Sequence, residues 1–307
     1  MSSYAGVPVS LGEDARSDTG GRSHAPRAQD GNAVIFDEAS GYYRRLRWEK
    51  NRIALQEKEQ TRRVLEEELG SGPAGTALEI GCGPGTWTPL LAERAGRVVA
   101  LDLSQGMLEQ ARRAVPDERV SFVRGDAADF DPEGGFDLVM SVRVLEYVPE
   151  WGQVVGRLGR LVAPGGRAVV ITKTPVSVWR GTGRSRWFGP RTLLRRLARK
   201  DVDPGFWQRY IPVHELSRAF ADAGLVDVRV RPVILGLPFY ARGTKQYPVI
   251  PAFAEKPALA ATQAVWRWVS RRGPRGRLAS LPFSESYAVS GRRPVAGESV
   301  RAVPVVP

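Results

Sequence analysis

The chain has 307 residues, of which 42% are hydrophobic and 25% charged, so it is long enough to bury the core of about one or two domains. A single cysteine, Cys82, excludes an internal disulfide, and with only 2 histidines the sequence argues against a zinc site. No apolar run is long enough to cross a membrane and the start of the chain lacks the apolar segment of a signal peptide, so we expect a cytoplasmic protein.

The net charge of +12 is unevenly distributed along the chain. Residues 174–307 carry 23 basic and 8 acidic residues, a balance of +15, whereas residues 1–173 carry 22 and 25, a balance of −3. Arginine supplies most of the positive charge. Phosphate recognition and the codon composition of the source genome explain this preference equally well.

The predicted elements begin after a low-complexity start. Residues 1–32 are rich in Ser, Gly, Asp, Arg and Ala without apolar periodicity, which predicts a disordered tail. Residues 42–69 combine helix formers with apolar residues at helical spacing and end before Gly70, which predicts one long helix. Alternating patterns follow, with strands at 77–80, 97–101, 120–124, 136–141 and 167–172, and helices at 86–94, 105–114 and 151–162.

This alternation predicts an α/β fold with a doubly wound, mainly parallel seven-stranded sheet, Rossmann-like and covered by helices on both faces. After residue 172 the rhythm is interrupted twice, by helical or irregular insertions at 174–212 and 235–283. A helix at 213–223 and strands at 226–234 and 284–293 complete the pattern.

A glycine-rich loop follows the first predicted strand. In the stretch ALEIGCGPGTW, Gly81, Gly83 and Gly85 alternate directly after a strand that contains the acid Glu79. Glycine there lets a ligand approach the backbone, and the next helix offers unpaired N–H groups. A dinucleotide-binding loop requires a glycine where this chain has Thr86, which disfavours an NAD-dependent oxidoreductase. LEIGCGPG instead resembles the first motif of class I S-adenosylmethionine-dependent methyltransferases.

The resemblance extends over successive strand ends. Asp102 closes RVVALD where an acid of this family binds both ribose hydroxyls, and Asp126 in VRGDAADF matches the acid that receives the adenine amino group. DLSQGML places Met107 against adenine, FDLVMS with RVLEYVPEW matches the fourth strand and its loop, and LVAPGGRAVVIT matches the fifth strand. From the residues alone, each aspartate could instead cap a helix, and Met107 could belong to the core.

The resemblance therefore implies S-adenosyl-L-methionine (SAM) as the cofactor and an N-terminal helical lid at 33–70 over a cofactor-binding core at 71–173. A substrate-cap insertion at 174–212, the end of the core at 213–293 and a tail at 294–307 complete the expected organisation. The residues expected to bind the cofactor are Tyr43, Glu79, Gly81, Cys82, Gly83, Asp102, Leu103, Met107, Asp126, Ala127 and Ser141.

Methyl transfer from a sulfonium is an in-line displacement, so a base is needed only when the acceptor must lose a proton. Three residues are candidates for orienting or deprotonating the acceptor. His214 lies at the start of the helix at 213–223, while Glu146 and Tyr147 follow the fourth strand, where this family faces the methyl group. Capping or packing is the alternative role of His214. Cys82 lies inside the glycine loop, which leaves no cysteine nucleophile.

The insertions are expected to hold the acceptor, because the shared core holds the cofactor. Residues 178–200 and 265–277 interleave aromatic residues with arginine, which fits an aromatic pocket, a patch for anionic lipid or an RNA-binding surface. We favour a pocket with these tryptophans as walls: Trp179, Trp187, Trp207, Trp266 and Trp268.

The expected function is SAM-dependent methylation of a small molecule, a specialised natural-product metabolite, at O, N or C. The alternatives are methylation of a lipid or quinone at the membrane surface, methylation of RNA, and use of the bound sulfonium for a reaction other than methylation. A nucleic-acid partner is disfavoured, peripheral membrane contact stays open, and no metal is expected. The sequence leaves the oligomeric state unassigned.

Overall fold

The computed structural model describes residues 28–49, 52–175, 208–235, 252–273, 280–281, 284–295 and 297–298. Expectations for residues 1–27, 176–207 and 236–251 fall outside these ranges, and the division into tail, lid, core and cap stays a prediction. The helical elements are α1 (Ala28–Arg44), a π-helical turn (Arg45–Glu49), α2 (Arg52–Leu69), α3 (Thr88–Ala92), α4 (Gln105–Ala114), a 3-10 turn (Leu145–Tyr147), α5 (Trp151–Leu161), α6 (Val213–Asp222) and α7 (Ala252–Ser270). The strands are β1 (Ala74–Ile80), β2 (Ala95–Asp102), β3 (Val120–Arg124), β4 (Phe136–Val142), β5 (Val162–Lys173), β6 (Val226–Leu235) and β7 (Ser284–Arg292).

The strands form one seven-stranded sheet in the order β3-β2-β1-β4-β5-β7-β6. The first five strands pair in parallel, and β7 pairs antiparallel with both β5 and β6. The predicted doubly wound, mainly parallel sheet is confirmed. Because the strand order reverses between β1 and β4, the carboxyl ends of these two strands frame a crevice where ligands of such sheets bind.

Apolar side chains cover both faces of the sheet. Neighbouring residues along a strand point to opposite faces. Ala77 accordingly packs in one core cluster with Leu65 of α2, while Leu78 packs in the other with Leu158 of α5. The strands need nearly continuous apolar runs for this double burial, and the same runs made them recognisable in the sequence.

A buried ionic cluster fixes the end of α2 to the sheet. The Glu68 carboxylate accepts hydrogen bonds from Arg231 on β6 (2.9 Å) and from Ser290 on β7 (2.5 Å). Arg167 on β5 donates to the Glu68 carbonyl (2.8 Å). Removing one partner of a buried pair typically costs about 3–5 kcal/mol, because an uncompensated charge stays behind. The cluster thus provides a firm anchor behind the N-terminal helices.

The N-terminal helix differs from its prediction. In place of one helix at 42–69, α1 begins at Ala28, inside the predicted tail, and the π-helical turn at Arg45–Glu49 precedes α2. Trp48 in this turn is buried, and its ring meets that of Trp87 edge-on with centroids 5.1 Å apart. Helix propensity is uniform across the stretch, so we attribute the interruption to the packing of Trp48, which no local pattern encodes.

The helix after the glycine loop is shorter than predicted. It spans Thr88–Ala92 rather than 86–94, because Thr86 and Trp87 still belong to the loop. The remaining predicted strands and helices among the described residues are present, with ends shifted by a few residues.

Candidate active site

A cavity opens at the carboxyl ends of β1, β2 and β4, where the strand order reverses. Such a position, at the switch point of an α/β sheet, is where small-molecule sites of this architecture lie. The glycine loop, the segments after β2 and β4, and α1 line the cavity. The predicted cofactor-binding residues that line the cavity are Tyr43, Gly81, Cys82, Gly83, Asp102, Leu103, Met107, Asp126 and Ala127.

The glycine loop turns sharply beneath the cavity. Gly81, Gly83 and Gly85 have φ angles of 71°, 53° and 72°, in the left-handed region that favours glycine. A Cβ on Gly81 would clash with the side chain of Val144, whereas a Cβ on Gly83 would meet no heavy atom within 4 Å. The loop therefore needs glycine at 81 for packing, and at 83 it presents bare backbone to open space.

Asp102 connects the glycine loop to the end of β2. Its Oδ2 accepts a hydrogen bond from the Gly83 N–H (2.7 Å) and its Oδ1 one from the Ser104 N–H (2.9 Å). Burial raises the pKa of this carboxyl, and backbone hydrogen bonds oppose the shift. Ser104, not Asp102, caps α4, because the Ser104 hydroxyl accepts the Met107 N–H (3.1 Å). Each carboxylate oxygen has a second lone pair for a hydroxyl of the cofactor.

Four predicted residues form the neighbouring wall. Met107 is 2% exposed and lines the cavity, so it belongs to the core and faces the ligand space at once. Asp126 accepts the Ala128 N–H at Oδ1 (2.9 Å), which fixes its carboxylate at the cavity edge. Ala127 and Leu103 complete this wall with apolar surface.

Glu79 and Ser141 lie beneath the cavity rather than on its lining. Glu79 is 1% exposed and accepts a hydrogen bond from the Thr88 hydroxyl (2.6 Å), which ties β1 to the first residue of α3. Burial, aided by the charge of Asp102, raises the pKa of Glu79 to about 8, although the bond from Thr88 opposes the shift. The buried Ser141 hydroxyl has no hydrogen-bond partner within the described ranges. Glu79 thus positions the start of α3, and neither of the two side chains lines the cavity.

The helix α1 crosses one side of the cavity. Asp37 Oδ1 accepts hydrogen bonds from the Gly106 N–H (2.8 Å) and the Ser104 hydroxyl (2.5 Å), at the start of α4. Asn32 Nδ2 donates to the Tyr147 carbonyl (3.1 Å). The Phe36 ring lies edge-on to those of Tyr43 and Tyr147, with centroids 5.9 and 5.3 Å away. These contacts hold α1 against both the β2 and the β4 sides of the cavity.

Glu146 does not face the cavity, contrary to the direct role considered for it. It is 0% exposed and accepts hydrogen bonds from Arg143 Nε (2.7 Å) and from the Thr172 hydroxyl (2.8 Å). Burial alone would raise the pKa of Glu146, but the Arg143 and Lys173 cations hold it below its ordinary value. An ionised, fully bonded carboxylate of this kind orients Arg143.

Tyr147 is the candidate catalytic residue that the structure places on the cavity. Lys173 Nζ donates to its hydroxyl (3.3 Å), while burial and the charge of Glu146 raise its pKa far above the usual range. It is therefore a hydrogen-bond donor rather than a base. His214, also a described residue, is exposed on α6 and does not line the cavity.

Of the five tryptophans expected to wall a pocket, the structure describes Trp266 and Trp268, and neither lines this cavity. Trp266 is 5% exposed and packs in the core cluster that contains Trp48. Trp268 is 57% exposed and lies under the guanidinium of Arg272, 3.8 Å from its ring centroid. Both belong to α7, whose alternating aromatic and basic residues reflect a buried side and a solvent side. The other three tryptophans lie outside the described residues.

A tightly bound cofactor is compatible with the polar groups present. Thr86 lines the cavity, and its buried Oγ1 has no hydrogen-bond partner among the residues described. Buried hydroxyls are normally paired, so this oxygen indicates a missing ligand group. Together with the open space at Gly83 and the spare lone pairs of Asp102, it gives the cavity complementary positions for the amino-acid and ribose parts of SAM.

Sequence reasoning missed several lining or supporting residues: Asn32, Asp37, Trp48, Thr86 as a contact, and Arg143. Asp37 and Asn32 act across long sequence separations, and no local pattern predicts such contacts. Arg143 is in the left-handed region, with φ of 64°, and an arginine carries no sequence signal for that conformation. Thr86 was visible as the departure from the dinucleotide-binding pattern, which was the usable signal.

Neither a metal-ligand cluster nor a membrane-spanning helix occurs in the described part of the chain. There, no group of three or more His, Cys, Asp or Glu side chains is arranged to hold a metal ion. Nor does any described helix combine the length and apolar character needed to cross a membrane.

Comparison with known proteins supports the same reading. A family described as a methyltransferase domain matches residues 77–166. A trans-aconitate 2-methyltransferase of Rhizobium meliloti (strain 1021) is 30% identical over 236 residues, or 69% of this chain and 89% of the relative. A demethylmenaquinone methyltransferase of Staphylococcus saprophyticus is 27% identical over 209 residues, or 64% of this chain and 88% of the relative.

Solved structures share the fold. A SAM-dependent methyltransferase from Mesorhizobium loti is similar with a TM-score of 0.51 and 24% identity, covering 77% of this chain and 98% of the other. The sequence likeness to whole methyltransferases, added to the glycine loop and the cavity above it, leads to one conclusion. The chain belongs to the class I methyltransferases, enzymes that use SAM as their cofactor.

Proposed function

We propose that the protein methylates a small organic acceptor that binds beside the glycine loop, against the segment after β4. The observation that supports this most is the continuity of the cavity. It extends from Asp126 and Asp102, past the glycine loop, to Arg143 and Tyr147, with α1 along its side. The end near Asp102 and Asp126 suits the cofactor, which leaves the end near Arg143 and Tyr147 for the acceptor. A specialised metabolite is the narrower acceptor that we propose.

Each end of the cavity has a distinct role in this proposal. Asp102 accepts hydrogen bonds from the ribose hydroxyls, Asp126 from the adenine amino group, and Met107 packs against the adenine ring. When bound, SAM supplies a methyl group on a positively charged sulfur. The chain aligns the acceptor and excludes water from it, which is where most of the rate enhancement of a displacement originates.

The tyrosines of the cavity orient the acceptor rather than deprotonate it. Burial raises the pKa of Tyr43 and of Tyr147, so both stay protonated at neutral pH. Burial likewise raises the pKa of the Cys82 thiol well above its ordinary value, which argues against a thiolate nucleophile. An acceptor that is already ionised, or that loses its proton after transfer, suits these groups best.

A lipid or quinone acceptor at a membrane surface is the second candidate. It is favoured by α7, which exposes Phe253 (85%) and Trp268 (57%) beside basic residues such as Lys256 and Arg272. Exposed aromatic and basic residues on one helix suit an anionic lipid surface. One relative of similar sequence is named for a quinone acceptor, demethylmenaquinone.

Methyl-labelled SAM distinguishes these candidates. The protein is incubated with the labelled cofactor and, separately, a small-molecule extract, quinone-loaded anionic vesicles and bulk RNA. We expect label in the water-soluble fraction of the extract. Label in the vesicle quinone would favour the second candidate, and label confined to RNA, or none in any fraction despite SAM binding, would contradict the proposal.

A further inference from the structure

The segment after β4 holds a buried cation in a strained backbone position. Arg143 lines the cavity, is 8% exposed and has a φ of 64°. Keeping a non-glycine residue in this region is energetically costly, and such strain is concentrated at functional sites. Glycine would make the same turn without strain. The guanidinium, rather than the turn, is therefore the reason for an arginine here.

Two hydrogen bonds that Arg143 donates to neighbouring side chains fix the plane of its guanidinium. Arg143 Nε donates to Glu146 Oε1 (2.7 Å) and Nη1 donates to the Ser286 hydroxyl (3.0 Å). Glu146 is itself held by Thr172 through its other oxygen (2.8 Å). A guanidinium fixed on one edge by a carboxylate and a hydroxyl is preorganised, so little side-chain entropy is lost when a ligand binds.

A second cation lies beside the first. Lys173 Nζ is 3.3 Å from the Tyr147 hydroxyl and 5.5 Å from the centre of its ring. Both cations act on the Glu146 carboxylate, whose pKa they lower. The cavity carboxylates Asp102 and Asp126 lie at the ends of β2 and β3, on the other side of β1. An anionic group is disfavoured beside those two carboxylates, which leaves the β4 side, with Arg143, for it.

We propose that Arg143, assisted by Lys173 and Tyr147, binds a carboxylate group of the methyl acceptor, with Glu146 as the positioning residue behind it. This proposal rests on the proposed function and names the acceptor class. A carboxylate matches the planar fork of a guanidinium and, with a pKa of about 4, is ionised at neutral pH without a base. The ring of Phe36 adds a flat apolar surface nearby, so the acceptor is a carboxylic acid with a planar, apolar body.

The test is a titration of protein saturated with S-adenosyl-L-homocysteine (SAH), the product form of the cofactor. The probes are trans-cinnamate, its neutral amide cinnamamide, and inorganic phosphate. We expect cinnamate to bind about tenfold more tightly than cinnamamide, as one charge-assisted bidentate pair provides, and phosphate not to displace it.

Two variants test whether Arg143 causes the preference for cinnamate over cinnamamide. The double substitution Arg143→Met with Glu146→Leu removes the buried pair as a unit, which avoids an unpaired charge. It is expected to abolish the preference for cinnamate while SAH still binds. The matched control Arg97→Met removes an exposed arginine and should keep the preference. If the double variant does not fold, Lys173→Met replaces it and should reduce the preference by about threefold.

Three outcomes would overturn the proposal. These are equal affinity for cinnamate and cinnamamide, a preference that survives the double substitution, and displacement of cinnamate by phosphate, which would indicate an unspecific anion patch. Loss of SAH binding in the double variant would also overturn it, by assigning Arg143 to the cofactor. Absence of SAH binding in the unmodified protein would instead contradict the proposed function itself.

Discussion

At the scale of single residues, two glycines of the loop have different tasks: Gly81 is needed for folding and Gly83 for cofactor binding. A Cβ at Gly81 would clash with Val144, while one at Gly83 would enter open space in the cavity. We expect Gly81→Ala to destabilise the fold by several kcal/mol, through overpacking and left-handed strain. Gly83→Ala should fold, at a cost of about 1 kcal/mol, and lose most SAM affinity. Thermal unfolding and SAH titration of both variants check this, and equal loss of stability in the two would contradict it.

For Thr86 we predict that one substitution has different effects on stability and on SAH affinity. Its buried hydroxyl has no partner among the described residues, so Thr86→Val should leave stability unchanged or raise it by up to about 1 kcal/mol. SAH affinity should fall by about 0.5–1.5 kcal/mol if this hydroxyl bonds the cofactor. Thr88→Val is the matched control, because its hydroxyl bonds the buried Glu79 and its loss should destabilise the fold. Unchanged SAH affinity in Thr86→Val would remove Thr86 from the site.

Glu79 predicts a pH dependence of stability. Its pKa is about 8 in the folded protein against 4.5 as the ordinary value, so the folded state holds a proton that the unfolded state has released between these values. The stabilisation that this bound proton contributes is therefore fully present below pH 4.5 and is lost as the pH rises through about 8. Glu79→Gln removes the titration, and we expect urea unfolding of the apoprotein to show a smaller loss over this window. Exposed Glu118→Gln is the control and should behave as the unmodified protein.

Several residues predicted from sequence motifs meet at one cavity. Asp102, Met107 and Asp126 follow strand ends at recognisable positions, and the structure places all three on one cavity. Glu146 was proposed for its place after the fourth strand and His214 for its place at the start of a helix and its titration range, but the structure buries the first in an ion pair and exposes the second. Approximate position along the chain did not predict which way these side chains point.

At the scale of elements, α1 is held over the cavity by one carboxylate. Asp37 bonds both the Ser104 hydroxyl and the Gly106 N–H at the start of α4, where negative charge is favoured by the helix dipole. We expect Asp37→Ala to weaken SAH binding by about 1–2 kcal/mol and to increase amide exchange across α1. Glu38→Ala removes the same charge from an exposed neighbour and should do neither. Equal effects from both variants would mean that charge, not this contact, matters.

The elements also show why strands were easier to predict than the N-terminal helices. Each central strand needs an apolar run because both faces of the sheet are covered, and that run is visible in sequence. The break between α1 and α2 depends on Trp48 meeting Trp87, a contact across 39 residues of sequence (87 − 48). Local propensity contains no information about such a contact.

At the scale of the whole molecule, the fold brings together groups from distant parts of the chain. The cavity combines α1, the glycine loop, the end of β2 and the segment after β4. The order of strands brings the last three together, and Asp37 holds α1 beside them. The sequence predicted this meeting point, because parallel α/β sheets bind ligands where the strand order reverses. The side-chain network around Arg143 could not be predicted, since it joins β4, β5 and β7 through single contacts.

The central claim is that this cavity binds SAM through Asp102, and calorimetric titration with SAH tests it most directly. The unmodified protein should bind SAH and not NAD, and Asp102→Ala should weaken SAH binding by about 1–3 kcal/mol, since the glycine-loop bond and those to the ribose are lost together. Exposed Asp131→Ala is the control and should bind as the unmodified protein does. Heat with NAD and none with SAH, or an unchanged dissociation constant in Asp102→Ala, would contradict the account.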